Sequence, residues 1–338
     1  MWTEQKLDEL LTTPSQALTD DISRLKGDIM ILGAGGKMGP SLCLLAKNAI
    51  KKAGINKRVI AVSRFTDPIA AKFFHDNDIE TIACDLLDTE KLNELPEVEN
   101  IIYMAGRKFG TDGSEWQTWA MNATLPAFIA RKFKNSRIVV FSSGNLYPIV
   151  PLSSGGCTEL VKPGPIGEYA MSCLARERAF EYAANKYGTK IFIYRLNFAV
   201  DLRYGVLYDM ADKIIKGEAI DITTPCLNCI WQGSANEIAI RGLLHAESPA
   251  KKMNVTGPET LSVQKTASML GKLLGKEPTF TGVPGNDAYL NDSAEAMELF
   301  GSPSVSALTR IKWQAEWIAS GGRALGKPTH FEERKGSY

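Results

Sequence analysis

The chain has 338 residues, 44% of them hydrophobic, which is enough for one large domain with a smaller appended lobe and too few for three domains. Lys plus Arg (39) nearly balances Asp plus Glu (38), for a formal charge of +1, and no long run carries one sign. That balance excludes a nucleic-acid or membrane surface as the basis of function, and no segment has the eighteen or so uninterrupted apolar residues of a membrane span.

In chain order, residues 1–26 are polar, with no basic and then apolar stretch of a secretory signal. Thr13-Pro14 places a cap before a proline at a first helical position, and Gly27 follows Leu25-Lys26, so a short helix packing on the sheet is expected here. Apolar runs of strand length recur at 29–32, 59–62, 81–84, 101–104, 138–141 and 191–194. Helix-like stretches lie between them, among them 40–51, 68–75 with Asp67 as cap, and 115–133. Near-continuous apolar strands alternating with amphipathic helices predict an α/β fold, a Rossmann-type doubly wound parallel sheet covered on both faces. The expected division is a helical extension at 1–26, a dinucleotide-binding domain at 27–200 and a mainly substrate-binding lobe at 201–338. Beyond Leu196 no regular strand is expected between the lobe's helices, and parts of 234–257, Met253 to Val255 among them, return to the main domain.

The first apolar run, Ile29-Met30-Ile31-Leu32, leads directly into Gly33-Ala34-Gly35-Gly36-Lys37-Met38-Gly39. A strand turning on glycines into a helix lets the backbone approach a pyrophosphate and offers it unpaired N–H groups and a positive dipole end. At the second strand's end, a carboxylate would bind the 2′-hydroxyl of NAD and a cation the 2′-phosphate of NADP. This chain has Ser63-Arg64 and no acid there, so Arg64, with Lys37 as a second cation, favours NADP over NAD. Asp85-Leu86 follows the third strand and Met104-Ala105-Gly106 the fourth, where small residues admit the cofactor's ribose.

The ordered series Gly33-x-x-Gly36-x-x-Gly39, Asp85-Leu86, Met104-Ala105-Gly106, Asn122, Ser142-Ser143, Thr158-Glu159, Pro165 and Tyr169 resembles the extended short-chain dehydrogenase/reductases, the NAD-dependent epimerase/dehydratase family. The likeness extends through Gly217-Glu218, Asn236-Glu237-Ile238-Ala239 and Asn254-Val255-Thr256-Gly257. The resemblance implies hydride transfer at a hydroxyl or keto carbon of a sugar, polyol or sugar-derived substrate, as an oxidoreductase or an epimerase. Tyr169 would exchange the proton, Ser143 would polarise the same oxygen and Asn122 would organise the site. Family members often dimerise through main-domain helices, so a homodimer is expected.

One departure bears on mechanism. The family carries a lysine four residues after the tyrosine, where it binds the nicotinamide ribose and lowers the phenol's pKa, and this chain has Cys173. An unassisted phenol with a pKa of ~10 is ionised only about one part in a thousand at neutral pH. Arg107 and Lys108 after the fourth strand, and Arg176 seven residues beyond Tyr169, are candidate replacement cations, with Arg107 preferred. A neutral tyrosine still donates a proton, so reduction suffers less than oxidation. The rival reading is a non-catalytic NAD(P)-binding sensor with a degenerate site.

Asn145, Asn197, Arg203 and Trp231 are candidate substrate contacts besides Arg107. The basic residue that holds a substrate diphosphate in several sugar-nucleotide members is missing from Cys229-Ile230-Trp231-Gln232. Six scattered cysteines read as reduced thiols of a cytoplasmic protein. Cys226-x-x-Cys229 has no second ligand pair for zinc, and no Gly-x-Ser-x-Gly elbow points to a hydrolase.

Overall fold

A computed structural model describes residues 2–66 and 68–337; Asp67, read above as a helix cap, lies outside the described residues. Seven parallel strands form one sheet: β1 (Ile29–Leu32), β2 (Val59–Ser63), β3 (Glu80–Ala83), β4 (Asn100–Tyr103), β5 (Arg137–Ser143), β6 (Lys190–Leu196) and β7 (Lys251–Val255). Their spatial order is β3-β2-β1-β4-β5-β6-β7. The order reverses between β1 and β4, so a crevice opens beyond their carboxyl ends, where dinucleotides bind in doubly wound sheets. Ile29 and Ile31 face one apolar layer and Met30 and Leu32 the other, so every residue of β1 is buried. This explains the unbroken apolar run.

The helices, in chain order, are α1 (Glu4–Thr12), α2 (Gln16–Arg24), α3 (Gly39–Lys52), α4 (Pro68–Asp76), α5 (Thr89–Glu94), α6 (Glu115–Trp119), α7 (Leu125–Lys132), α8 (Gly167–Tyr187), α9 (Val206–Lys216), α10 (Gln232–Gly242), α11 (Val263–Leu274), α12 (Ala294–Phe300) and α13 (Ala307–Ala319). The extension is two helices, where the sequence suggested one. Ser15, not Thr13, caps the second, its side chain accepting from the Leu18 N–H. The extension also does not lie on the sheet. It packs on α3 and α10, outside the first helical layer, and Trp2, Leu7 and Leu11 reach the second lobe through Leu202, Trp231 and Trp317.

The stretch expected as one helix over 115–133 is interrupted by a π-helical turn, Ala120–Thr124, between α6 and α7. Pro126 supplies the reason: it has no N–H to donate, and its ring would press on the carbonyl four residues back, that of Asn122. The second lobe has its own core, where α9, α11 and α13 bury Met210, Ile214, Ala267, Leu270 and Ile311. Two-residue strands, such as Cys226–Leu227 paired with Leu261–Ser262, lie between its helices. From Arg323 to Gly336 the chain has no helix or strand, yet Thr329 and Phe331 are buried.

Candidate active site

The glycine turn lies at the carboxyl end of β1. Gly33 has φ 91°, and a Cβ there would lie 2.6 Å from the Ala105 backbone nitrogen. A Cβ on Gly35 would lie 2.4 Å from Ser63 Oγ, whereas one on Gly36 would meet nothing nearer than 3.5 Å. Gly35 and Gly36 are both exposed to the crevice. Gly39 is buried, where a Cβ would come within 2.0 Å of the Ala34 carbonyl, so glycine lets α3 start tight against the turn. No side chain caps α3, and Pro40 opens its first turn, so the helix start remains available to an anion.

The cleft beside the turn gathers Gly33, Gly35, Gly36, Ser63, Arg64, Asp85, Leu86, Met104, Ala105 and Gly106. These are residues that the sequence reading assigned to cofactor, and the bare backbone at Gly35 and Gly36 fits the diphosphate of a dinucleotide. Met38 is not among them and lines a second cleft with Ser143, Asn145, Tyr169 and Asn197. Lys37 lines that second cleft and also a third, with Gly35, Gly36 and Lys327.

Ser143 ends β5 and caps the turn that follows, accepting from the Asn145 N–H at 3.2 Å. Tyr169, in the first turn of α8, hydrogen-bonds the side chains of Ser143 and Cys173. Burial holds the Tyr169 phenol well above the ordinary tyrosine range; Cys173 adds to the rise, while Arg176 and the Ser143 bond oppose it. Burial likewise raises the Cys173 thiol, so the group in the lysine's place is neutral.

Arg107 is not the replacement cation. Its guanidinium donates to the Gly110 carbonyl and to Ser114 Oγ (2.7 Å), which ties up its own loop. The cations beside Tyr169 are Lys108, with Nζ 5.5 Å from the Tyr169 ring centroid, and the buried Arg176. Arg176 donates to Asn122 Oδ1 at 2.6 Å and to the Phe141 carbonyl at 2.7 Å. A Cβ on Gly106 would lie 2.5 Å from Arg176 Nη2, so this glycine makes room for the guanidinium as well as for a ribose. Asn122 sits in the π turn, fully buried. Its Oδ1 also accepts from the Arg107 N–H (2.9 Å), and its Nδ2 donates to the Arg107 carbonyl (2.7 Å) and Ser172 Oγ (3.0 Å). It therefore holds the loop after β4 and the Arg176 side chain rather than facing the cleft.

Two substrate assignments are corrected. The Arg203 guanidinium is enclosed by Asp201 (2.8 Å), Glu4 (2.9 Å) and Asp8 (2.9 Å), which neutralise it. Trp231 is 2% exposed and packs edge-on against Trp313, so its ring is core and cannot stack on a sugar. Asn197 does line the second cleft, where its Nδ2 donates to Asn228 Oδ1 at 2.8 Å. Sequence reasoning missed Tyr204, Lys327 and Thr329 at these clefts, because they belong to the second lobe and the irregular C-terminal segment.

Among the described residues no group of three His, Cys, Asp or Glu side chains could hold a metal ion, and no helix is long and apolar enough to cross a membrane. The sequence pattern of the NAD dependent epimerase/dehydratase family matches residues 29–220. The chain belongs to that family.

Epimerase/dehydratase folds among solved structures agree. UDP-glucuronic acid 4-epimerase from Bacillus cereus in complex with NAD superimposes with a TM-score of 0.69 at 18% identity, covering 87% of this chain and 99% of its own. UDP-glucose 4-epimerase from Thermotoga maritima gives 0.68 at 17% identity with the same coverage. The dTDP-glucose 4,6-dehydratase DesIV from Streptomyces venezuelae gives 0.74 at 15%, covering 87% and 97%. No curated protein sequence matches the chain. Family membership makes this epimerase/dehydratase-family chain an enzyme of the short-chain dehydrogenase/reductase type with a nicotinamide cofactor, and the non-catalytic sensor is not favoured.

Proposed function

We propose that the enzyme transfers hydride at a hydroxyl or keto carbon of a sugar, polyol or sugar-derived substrate, as an oxidoreductase or an epimerase. The observation that carries this is the hydrogen-bonded pair Tyr169–Ser143 in a cleft adjoining the glycine turn. Bound nicotinamide supplies or accepts the hydride. The Tyr169 O–H donates to the substrate's keto oxygen, and the Ser143 hydroxyl donates to the same atom, so charge developing there meets two donors. Arg176 and Lys108 supply the positive field that Cys173 does not. With the phenol held above its ordinary range, Tyr169 is an acid at neutral pH, which favours ketone reduction. Oxidation, which needs the phenolate, rises with pH through the alkaline range.

Tyr169→Phe is expected to lower turnover by about 10²–10⁴-fold while cofactor affinity stays within about twofold. Turnover that survives this change removes Tyr169 from the chemistry. The UDP- and dTDP-sugar enzymes of like fold support a sugar substrate.

The cofactor is NADP or NAD, with Arg64 at the cleft and no acid ending β2 supporting NADP. Titration with NADPH and NADH reads that choice, and equal affinities before and after Arg64→Ala would refute it. The assembly is a homodimer through α6 and α8, which expose Trp116 (70%) and Tyr182 (60%). Sedimentation at micromolar concentration should give twice the chain mass, and Trp116→Glu a monomer. A cytoplasmic location follows from the reduced, scattered cysteines.

A further inference from the structure

Gly35 and Gly36 line two clefts that meet at the glycine turn. One runs towards Arg64 and Met104. The other is bounded by Pro40 and Ser41 at the start of α3 and also by Arg323, Leu325 and Lys327 of the C-terminal segment. A diphosphate resting on the bare backbone of this turn therefore meets the uncapped helix start and the C-terminal segment together.

The segment is tied down on either side of Lys327. The Leu325 N–H donates to the Arg203 carbonyl at 2.9 Å, and the Thr329 N–H (2.8 Å) and hydroxyl (2.5 Å) both donate to Asp209 on α9. Phe331, just beyond, is buried in the core of the second lobe. With the backbone fixed before and after it, Lys327 is kept at the cleft.

The charges of this cleft leave two cations over. Its charged lining residues are Asp8, Asp201, Lys37, Arg203, Arg323 and Lys327. Asp8 and Asp201 are both taken by Arg203, and Arg323 pairs with Glu4 at 3.2 Å. Among the described residues, neither Lys37 nor Lys327 forms an ion pair with a carboxylate, and Asp209, whose field reaches Lys37, is the acceptor that Thr329 occupies. Lys37 Nζ lies 3.3 Å from the Tyr204 ring centroid, a contact that steadies an ammonium without cancelling its charge. The charge of Lys327 acts on Lys37, so the two ammonium groups repel each other. The diphosphate of a dinucleotide carries one negative charge on each phosphate, so it matches the two cations and relieves their repulsion.

We propose that Lys327 pairs with the diphosphate of the bound nicotinamide cofactor, together with Lys37, so that the C-terminal segment forms one wall of the cofactor site. This rests on the reading of the glycine turn as the place where the cofactor binds. The diphosphate is common to NAD and NADP, so Lys327 raises affinity for both alike, whereas Arg64 chooses between them.

The test is fluorescence titration of NADH and NADPH into the full-length protein, stripped of nucleotide with charcoal, for the parent, K327M, K327R and K37M. K327M and K37M should each weaken every cofactor that the parent binds by about tenfold, a difference of ~1.4 kcal/mol. K327R keeps the charge and should stay within about threefold of the parent. Lys327 is exposed, so K327M should leave the melting midpoint of the cofactor-free protein unchanged. In the parent, cofactor should also slow amide hydrogen exchange over residues 325–329.

A K327M affinity within about twofold of the parent's overturns the proposal, and so does a K327R as weak as K327M. A loss confined to NADPH assigns Lys327 to the 2′-phosphate, and a loss matched by a lower midpoint without cofactor makes it structural; either overturns it too. Exchange over 325–329 that ignores the cofactor does the same. A parent that binds neither NADH nor NADPH would instead refute the cofactor reading on which the proposal rests.

Discussion

Glu177 and Arg195 form a bidentate ion pair at 2.7 and 2.9 Å, and both side chains are at most 1% exposed. Ser142, next to Ser143 on β5, donates to the same carboxylate at 2.6 Å, and Arg195 continues to the Tyr147 hydroxyl, which donates to Asn254 at 2.9 Å. This chain of bonds fixes the end of β5 from beneath, so Ser143 is presented by a rigid strand. Glu177→Gln keeps the shape but leaves a buried guanidinium without its counter-charge. A loss of about 3–5 kcal/mol in denaturant unfolding is expected, and a change below about 1 kcal/mol would show that the pair does not hold the strand. Residue identity alone reveals none of this, since Glu177 and Arg195 are 18 positions apart and read as ordinary surface charges. The Cys173 departure, by contrast, is plain in the sequence, but whether Arg107, Lys108 or Arg176 answers it depends on side-chain direction.

At the scale of the element, the π turn between α6 and α7 makes the site possible. A regular helix would move Asn122 by one ladder position and lose its four bonds to Arg107, Ser172 and Arg176. Asn122→Ala leaves the Arg107 amide and the Arg176 guanidinium short of an acceptor, at about 1–3 kcal/mol for each unsatisfied group. The expected outcome is a lower unfolding midpoint together with a weaker nicotinamide site, read by melting and cofactor titration. A variant that is as stable as the parent would show that Asn122 does not organise the loop. Pro126 is visible in the sequence as a helix breaker. Its effect is one widened turn rather than a break, because α6 and α7 both pack on α8 and keep a common direction.

For the whole molecule, the two chain ends complete what the sheet begins. The extension buries Trp2, Leu7, Leu11, Leu18, Ile22 and Leu25. Its acids Glu4 and Asp8 neutralise Arg203 of the second lobe, while Asp21 pairs with Arg241 on α10 at 2.7 Å. Six such side chains contribute about 1.5–3 kcal/mol each, comparable to the ~5–15 kcal/mol that holds a domain folded. A chain lacking residues 1–26 should therefore fail to give a cooperative melt. If it melts within a few degrees of the full chain, the extension is an accessory. At the other end, Phe331 anchors in the lobe core and Gly336 packs on Gly167 at the start of the Tyr169 helix, so the C-terminal segment crosses the cleft.

By itself the sequence determined the sheet, the glycine turn, the family and the positions of Ser143 and Tyr169. Each depends on local physics: strands buried on both faces are continuously apolar, a phosphate turn excludes Cβ atoms, and strand ends in a parallel sheet share one edge. β3 is the weakest case, set one residue earlier than the apolar run at 81–84 suggested, since this edge strand is mostly exposed and its pattern is faint. The tertiary structure decided the rest. Arg107 and Arg203 are cations spent on neighbours, Trp231 is core, and Lys37 shares one cleft with Lys108 and another with Lys327, residues far from it in the chain. Charge and aromaticity in a sequence do not tell which way a side chain points or what it finds there. That is set by contacts between distant segments, and no local pattern encodes them.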